Sequence, residues 1–126
     1  MSTCVVWIDS THAKVFTITV SGVKRKIVKL NVIQHSNGHH DRNMENAEEK
    51  FFHKVAMAII DSPDRLLVMG AGPAKEKFKK HLDHHHHNDL FKILTSVETL
   101  SELSDNQILE ASRNYFKKNH TYSLTQ

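Results

Sequence analysis

An α/β fold with a mixed five-stranded sheet is what this 126-residue sequence predicts. Three observations carry that expectation. Leu66-Leu67-Val68-Met69 is an unbroken apolar run, the mark of a strand covered on both faces. Gly70-Ala71-Gly72 then allows a tight turn, and Pro73 suits the first position of a helix, where a missing N–H costs nothing. In that helix Ala74, Phe78 and Leu82 fall four apart as an apolar stripe, and Lys75, Lys77, Lys79 and Lys80 take the remaining faces. Third, the chain upstream holds three strand-like stretches joined by short polar turns, an antiparallel meander.

Taken in order, residues 4–9, CVVWID, form a first strand of β-branched and aromatic residues. Ser10-Thr11-His12 turns the chain into a second strand over residues 13–20, AKVFTITV. Ser21-Gly22 breaks it, and residues 26–34, KIVKLNVIQ, supply a third, with Ile27, Lys29, Asn31 and Ile33 on one face. Residues 35–43, HSNGHHDRN, are wholly polar and read as a loop. Asn43 is placed to cap a helix whose Met44, Ala47, Phe51, Val55 and Ile59 share one side, widened by Phe52, Ala56 and Ile60. That helix is expected to end near Asp61-Ser62-Pro63. After the central strand and its helix, residues 83–89, DHHHHND, read as a connector, and residues 92–94 as a short fifth strand. Ser104 and Gln107 make a capping box for a last helix with Ile108, Ala111, Tyr115 and Phe116 on its buried side. The reading is one domain over residues 1–118 with a frayed tail at 119–126.

The order β-β-β-α-β-α-β-α gives three antiparallel strands followed by two reached through helical crossovers, with three helices packed on the sheet. That is the ribonuclease-H-like arrangement.

Composition narrows the function classes. No apolar run approaches the roughly 20 residues of a membrane span. The opening Met1-Ser2-Thr3-Cys4 has no basic region before an apolar core, so no signal peptide is expected. A single cysteine forms no internal disulfide, which fits a reducing, cytoplasmic setting, and Cys4 reads as a small core residue. The net charge of +3 is mildly basic, compatible with an RNA-facing surface. Eleven histidines are the anomaly: full protonation would raise the charge from +3 to +14.

The segments VVWIDSTHAKVFTI, HSNGHHDRNMENAEEKFFHKVA and RLLVMGAGPAKEKFKKHL together resemble the middle domain of the archaeal and eukaryotic class I release factors and of Pelota, over residues 5–111. The last segment carries most of the resemblance, since the family has a hydrophobic strand, a glycine-rich turn and a helix with Lys and Phe there. Bacterial proteins described as host-attachment or translational-machinery proteins look similar. The resemblance implies a translation-related protein, with the ribosome or structured RNA as partner. One departure matters. Release factors carry a Gly-Gly-Gln tripeptide in the loop before the long helix, where it promotes peptidyl-tRNA hydrolysis. The corresponding loop here, Ser36 to Arg42, holds one glycine, Gly38, and no glutamine. Release-factor chemistry therefore is not expected to carry over, and the expectation is a protein that is not an enzyme.

The candidate RNA-binding residues are His35, Gly38, His39, His40 and Arg42 of the polar loop, whose position matches the family's ribosome-facing loop and whose groups suit phosphate contact. An ordinary solvated loop is the competing reading. Lys24, Arg25 and Lys26 of the second hairpin add a basic patch, for which a solvated turn is the commoner meaning, and Lys75 of the basic helix completes the set. No cofactor is expected. The best metal candidates are His81, His84 and His85, which would share one helical face at i, i+3 and i+4 if the helix continued that far; a low-complexity tract is the simpler meaning. Asp9 sits where a ribonuclease-H-like nuclease keeps a metal-binding aspartate, with Glu45, Glu48 and Glu49 as distant partners; the alternative is an aspartate that organises a turn. The Gly70–Pro73 turn reads as structural, lacking the Lys-Ser/Thr of a P-loop. Besides RNA binding, a homo-oligomeric interaction module and, more remotely, a metal-dependent nuclease are the functions to separate.

Overall fold

The first strand, β1 (Thr3–Ile8), is buried along its whole length, with Cys4 to Ile8 at 0% exposure, because the sheet is covered on both faces. The structure, a computed structural model, describes residues 2–31, 40–60 and 62–124, with the backbone alone at 40–45 and 119–124. The elements that follow are β2 (His12–Thr19), β3 (Gly22–Lys29), α1 (His40–Met57), β4 (Arg65–Gly70), α2 (Ala74–His85), β5 (Leu94–Thr99) and α3 (Asp105–Leu124). The sheet runs β3-β2-β1-β4-β5, antiparallel from β3 to β1 and parallel from β1 to β5. The expected fold class is the one observed.

Alternation along the strands sorts the core into two layers. Cys4, Val6 and Ile8, with Val15 and Val68, meet Phe51, Phe52 and Val55 of α1 and Phe78 and Leu82 of α2. Val5, Trp7, Phe16 and Leu67 meet Ile108 and Leu109 of α3 on the other face. Burial pushes the Cys4 thiol up to about 12, so the folded protein holds no thiolate near neutrality. Modification by a thiol reagent at pH 8 should therefore run at least about 10³-fold slower in the folded protein than in urea, as a stability of about 5 kcal/mol dictates. Equal rates in native buffer and urea would contradict the burial.

Several element bounds differ from the sequence reading. Strand β3 occupies residues 22–29 rather than 26–34. The turn lies at Val20-Ser21, so Thr19 pairs with Gly22, and the first residue of β2, His12, then falls opposite Lys29. The strand stops where its partner stops. Helix α1 begins at His40, so Asn43 lies inside it rather than capping it, and it ends at Met57, four residues before Asp61. Ile59 still packs on the core from the following loop, whereas Ile60 is 44% exposed. Strand β5 starts at Leu94, because turns about His86 occupy the preceding stretch: its carbonyl accepts from Phe91 N at 2.9 Å. The capping box holds as read, with Gln107 N donating to Ser104 Oγ at 3.3 Å and Ser104 N donating to Gln107 Oε1 at 3.1 Å.

Candidate functional site

Of the loop residues singled out for RNA, His35, Gly38 and His39 lie outside the described residues, and His40 and Arg42 fall in the opening turn of α1, where the backbone alone is described. What the structure does describe is the ground on either side of them. β3 precedes and α1 follows residues 32–39 in the chain, and these two elements border two adjoining hollows. Lys26, Lys29, His53 and Lys54 line one together with Met57, and Asn31 and Lys50 line the other with Lys29 and Lys54. All four lysines are exposed. Because β3 is an edge strand whose side chains alternate between the faces, Lys24 and Lys26 turn to the α1 side with Val28. Arg25 turns to the α3 side and pairs with Asp105. The hairpin cations named from the sequence therefore serve different faces, Lys24 and Lys26 one and Arg25 the other.

Lys75 needs a correction. Expected on an open basic face, it is 9% exposed, and its Nζ donates to the Gly72 carbonyl at 2.7 Å. The ammonium closes the Gly70–Pro73 turn from within, which removes it from the surface that reaches a ligand.

Asp9 ends β1 as a turn organiser. Its Oδ1 accepts from Thr11 N at 2.8 Å, Thr11 Oγ1 at 2.9 Å and His12 N at 2.9 Å. Partial burial resists its ionisation, but these donors and the neighbouring His12 outweigh that and hold the carboxyl below its usual value. His12 Nε2 lies 2.8 Å from Glu102 Oε2, and Lys14 Nζ bridges Glu102 at 3.3 Å and Asp105 at 3.4 Å. Although Asp9, His12 and Glu102 converge closely enough to hold an ion, their polar atoms are matched by one another and by Lys14. Glu48 and Glu49, the distant acids read from the sequence, sit on α1 facing α2 instead, at Lys77 and His81.

The histidines behave differently. Helix α2 does continue to His85, so His81 and His85 come together with ring centroids 4.6 Å apart, whereas His84 stays exposed outside every cluster of three potential metal-ligating groups among the described residues. His81 is 6% exposed and packs against Phe52 and Phe78. Burial holds its imidazole below the usual histidine value; Glu49 pulls the other way, its Oε2 3.4 Å from Nδ1, and His85 and His86 add to the depression. The sequence reading missed His53 on α1 and saw His86, which ends α2, only as one of the consecutive histidines; both converge on His81. Their signal was only partly present. His81 falls seven residues after Ala74, on the buried stripe, but nothing in sequence brings α1 alongside α2.

No family model and no curated protein matches the chain. Solved structures do match in fold. The archaeal translation termination factor aRF1 superposes with a TM-score of 0.59 at 14% identity, over 98% of this chain and 42% of that one. Pelota of Archaeoglobus fulgidus gives 0.59 at 18% identity, over 94% of this chain and 31% of that one. Dom34 of S. cerevisiae, a translation termination-like factor involved in RNA quality control pathways, gives 0.56 at 14% identity, over 98% and 37%. The chain thus spans less than half the length of each of the three. Its fold is that of a segment of the archaeal release factor aRF1 and of Pelota, as the resemblance in the sequence led one to expect.

Proposed function

We propose that the chain is a non-catalytic, translation-related protein that binds the ribosome or structured RNA with the face formed by β3 and α1, helped by the polar 35–42 stretch of the sequence. The observation that carries this reading is the lysine-lined ground between β3 and α1, where Lys26, Lys29, Lys50 and Lys54 gather; the sequence joining the two elements adds His35 and His39, and the start of α1 adds His40 and Arg42. Lysines on a rigid sheet edge and a helix present fixed charges to a phosphate backbone and contact it without reading sequence. The matching structures are translation termination-like factors by their own descriptions, which favours this class of partner. The sequence contains no Gly-Gly-Gln, and Asp9 is engaged in its turn, so neither peptidyl-tRNA hydrolysis nor two-metal hydrolysis is part of the proposal.

Cosedimentation with ribosomes, and titration of structured RNA, across a salt series test it. With roughly five phosphate contacts, affinity should fall roughly 10²-fold between about 50 and 200 mM salt. Lys26→Glu combined with Lys54→Glu should weaken binding at least about tenfold and flatten the salt slope. Absence of binding at low salt, or binding indifferent to both salt and charge reversal, would overturn the proposal.

A second reading draws on the apolar part of the same edge, where Val20, Val23 and Ile27 are 98%, 44% and 43% exposed. Pairing of β3 with a second copy would cover them, although the lysines on that strand oppose edge-to-edge pairing. Light scattering decides: a dimer abolished by Val23→Lys would favour it, and a monomer at high concentration would exclude it.

A further inference from the structure

The geometry points to a transition-metal site between α1 and α2, in which His53, His81 and His86 bind a divalent ion such as Zn²⁺ through their ring nitrogens. The inference does not rest on RNA binding, although His53 also borders β3. The three side chains each bring a nitrogen within 4.8 Å of the others, from one helix, the middle of its neighbour and the residue that ends that neighbour. Ligands at zinc–nitrogen distances of 2.0–2.1 Å in a tetrahedron lie about 3.4 Å apart, so closure takes only a modest contraction of the trio.

Two of the three already carry buried ring nitrogens that make no hydrogen bond. Both ring nitrogens of His81 and Nε2 of His86 are buried without a hydrogen-bond partner among the described residues. Elsewhere in this chain close histidine–acid groups satisfy one another, as His12 and Glu102 do at 2.8 Å. Orphaned buried nitrogens in a polar cluster are the exception that calls for a ligand. Nearby carboxylates stand where the outer partners of metal-bound imidazoles stand: Glu49 Oε2 is 3.4 Å from His81 Nδ1, and Asp89 Oδ1 is 3.9 Å from His86 Nδ1. That leaves Nε2 of each ring as the metal-facing atom. Three neutral imidazoles suit zinc, nickel or copper rather than magnesium or calcium. The cleft stays open, so the fourth position falls to a water or an anion, which the bordering Lys50 and Lys54 favour. Glu49, His81 and His85 form an alternative trio, but there the acid already faces both rings, at 3.4 and 3.8 Å.

The rival explanation is adventitious binding to the exposed run of histidines, and the variants separate the two. Zinc titration of the intact chain by calorimetry at pH 7.5 should give one tight site, and Co²⁺ should give the intense visible absorption of a tetrahedral ion. His53→Asn and His86→Asn should each weaken the tight site at least tenfold and remove that absorption. His84→Asn with His87→Asn should leave both unchanged. Because His53 is exposed, its loss leaves the fold intact, and melting without metal verifies this. Wild-type zinc affinity in His53→Asn, dependence on Glu49 and His85 instead, or loss only with His84 and His87 would each overturn the assignment, as would the absence of a tight site.

Discussion

Gly70→Ala is expected to destabilise the protein by roughly 3 kcal/mol or more, at the upper end of what forcing one methyl group into a packed site costs. A Cβ at this position would stand 1.9 Å from the Ile8 carbonyl oxygen. That atom is main chain in the central strand, so no side-chain rotation relieves the contact, and β1 and β4 must separate at their C-terminal ends. Those strands form the parallel pair at the middle of the sheet, and the Gly70 carbonyl also accepts from Leu100 N at 2.9 Å, so the disturbance passes on toward β5. Gly72 provides the control. Its φ of +71° disfavours a side chain, yet nothing lies within 4 Å of the added atom, so Gly72→Ala should cost only about 1–2 kcal/mol. Urea unfolding followed by the emission of Trp7, the only tryptophan, measures both. Equal costs would refute the close approach.

The contrast marks what the sequence could and could not disclose. Gly70-Ala71-Gly72 was legible as a turn, but its glycines serve different ends. Gly72 supplies the left-handed residue, whereas Gly70 makes room for a neighbouring strand 62 positions away in the chain. Periodicity and β-branched runs find strands and helix faces well, and so the stripe of Ala74, Phe78 and Leu82 and the strands β1 and β2 were read correctly. It places ends poorly. β3 ends where β2 runs out of partners, a fact of pairing that no local pattern carries.

The same limit governs the sites. The polar character of residues 35–42 is plain in the sequence, and so are the consecutive histidines. The lysines of α1 that face β3, and the meeting of His53 with His81 and His86, depend on how two helices lie against one sheet. Lys75 fails in the opposite sense: a lysine in a basic helix is expected in solvent, but the Gly72 carbonyl one turn back offers its ammonium a better partner. Charge counted along a helix overestimates charge available to a ligand.

Trp7→Ala is the other substitution expected to be severe, at about 3–5 kcal/mol. The indole is fully buried and anchors the layer shared with α3, among Phe16, Leu67 and Ile108. Removing it leaves a cavity bounded by strands on one side and a helix on the other, and neither can close in without breaking register. A second term comes from Nε1, which donates to the Leu100 carbonyl at 3.0 Å. Leu100 begins the connection from β5 to α3, so this one hydrogen bond ties the middle of the sheet to the segment that delivers the last helix. Trp7→Phe separates the two terms. Phenylalanine keeps much of the apolar volume but leaves the carbonyl unmatched, and should cost roughly 1–3 kcal/mol. In that variant, amide exchange should quicken over residues 100–104 and the first turn of α3 while β1 and β4 stay protected. Circular dichroism in urea supplies the stabilities. If Trp7→Phe costs as much as Trp7→Ala, the hydrogen bond governs; if it costs nothing, packing alone holds α3 to the sheet.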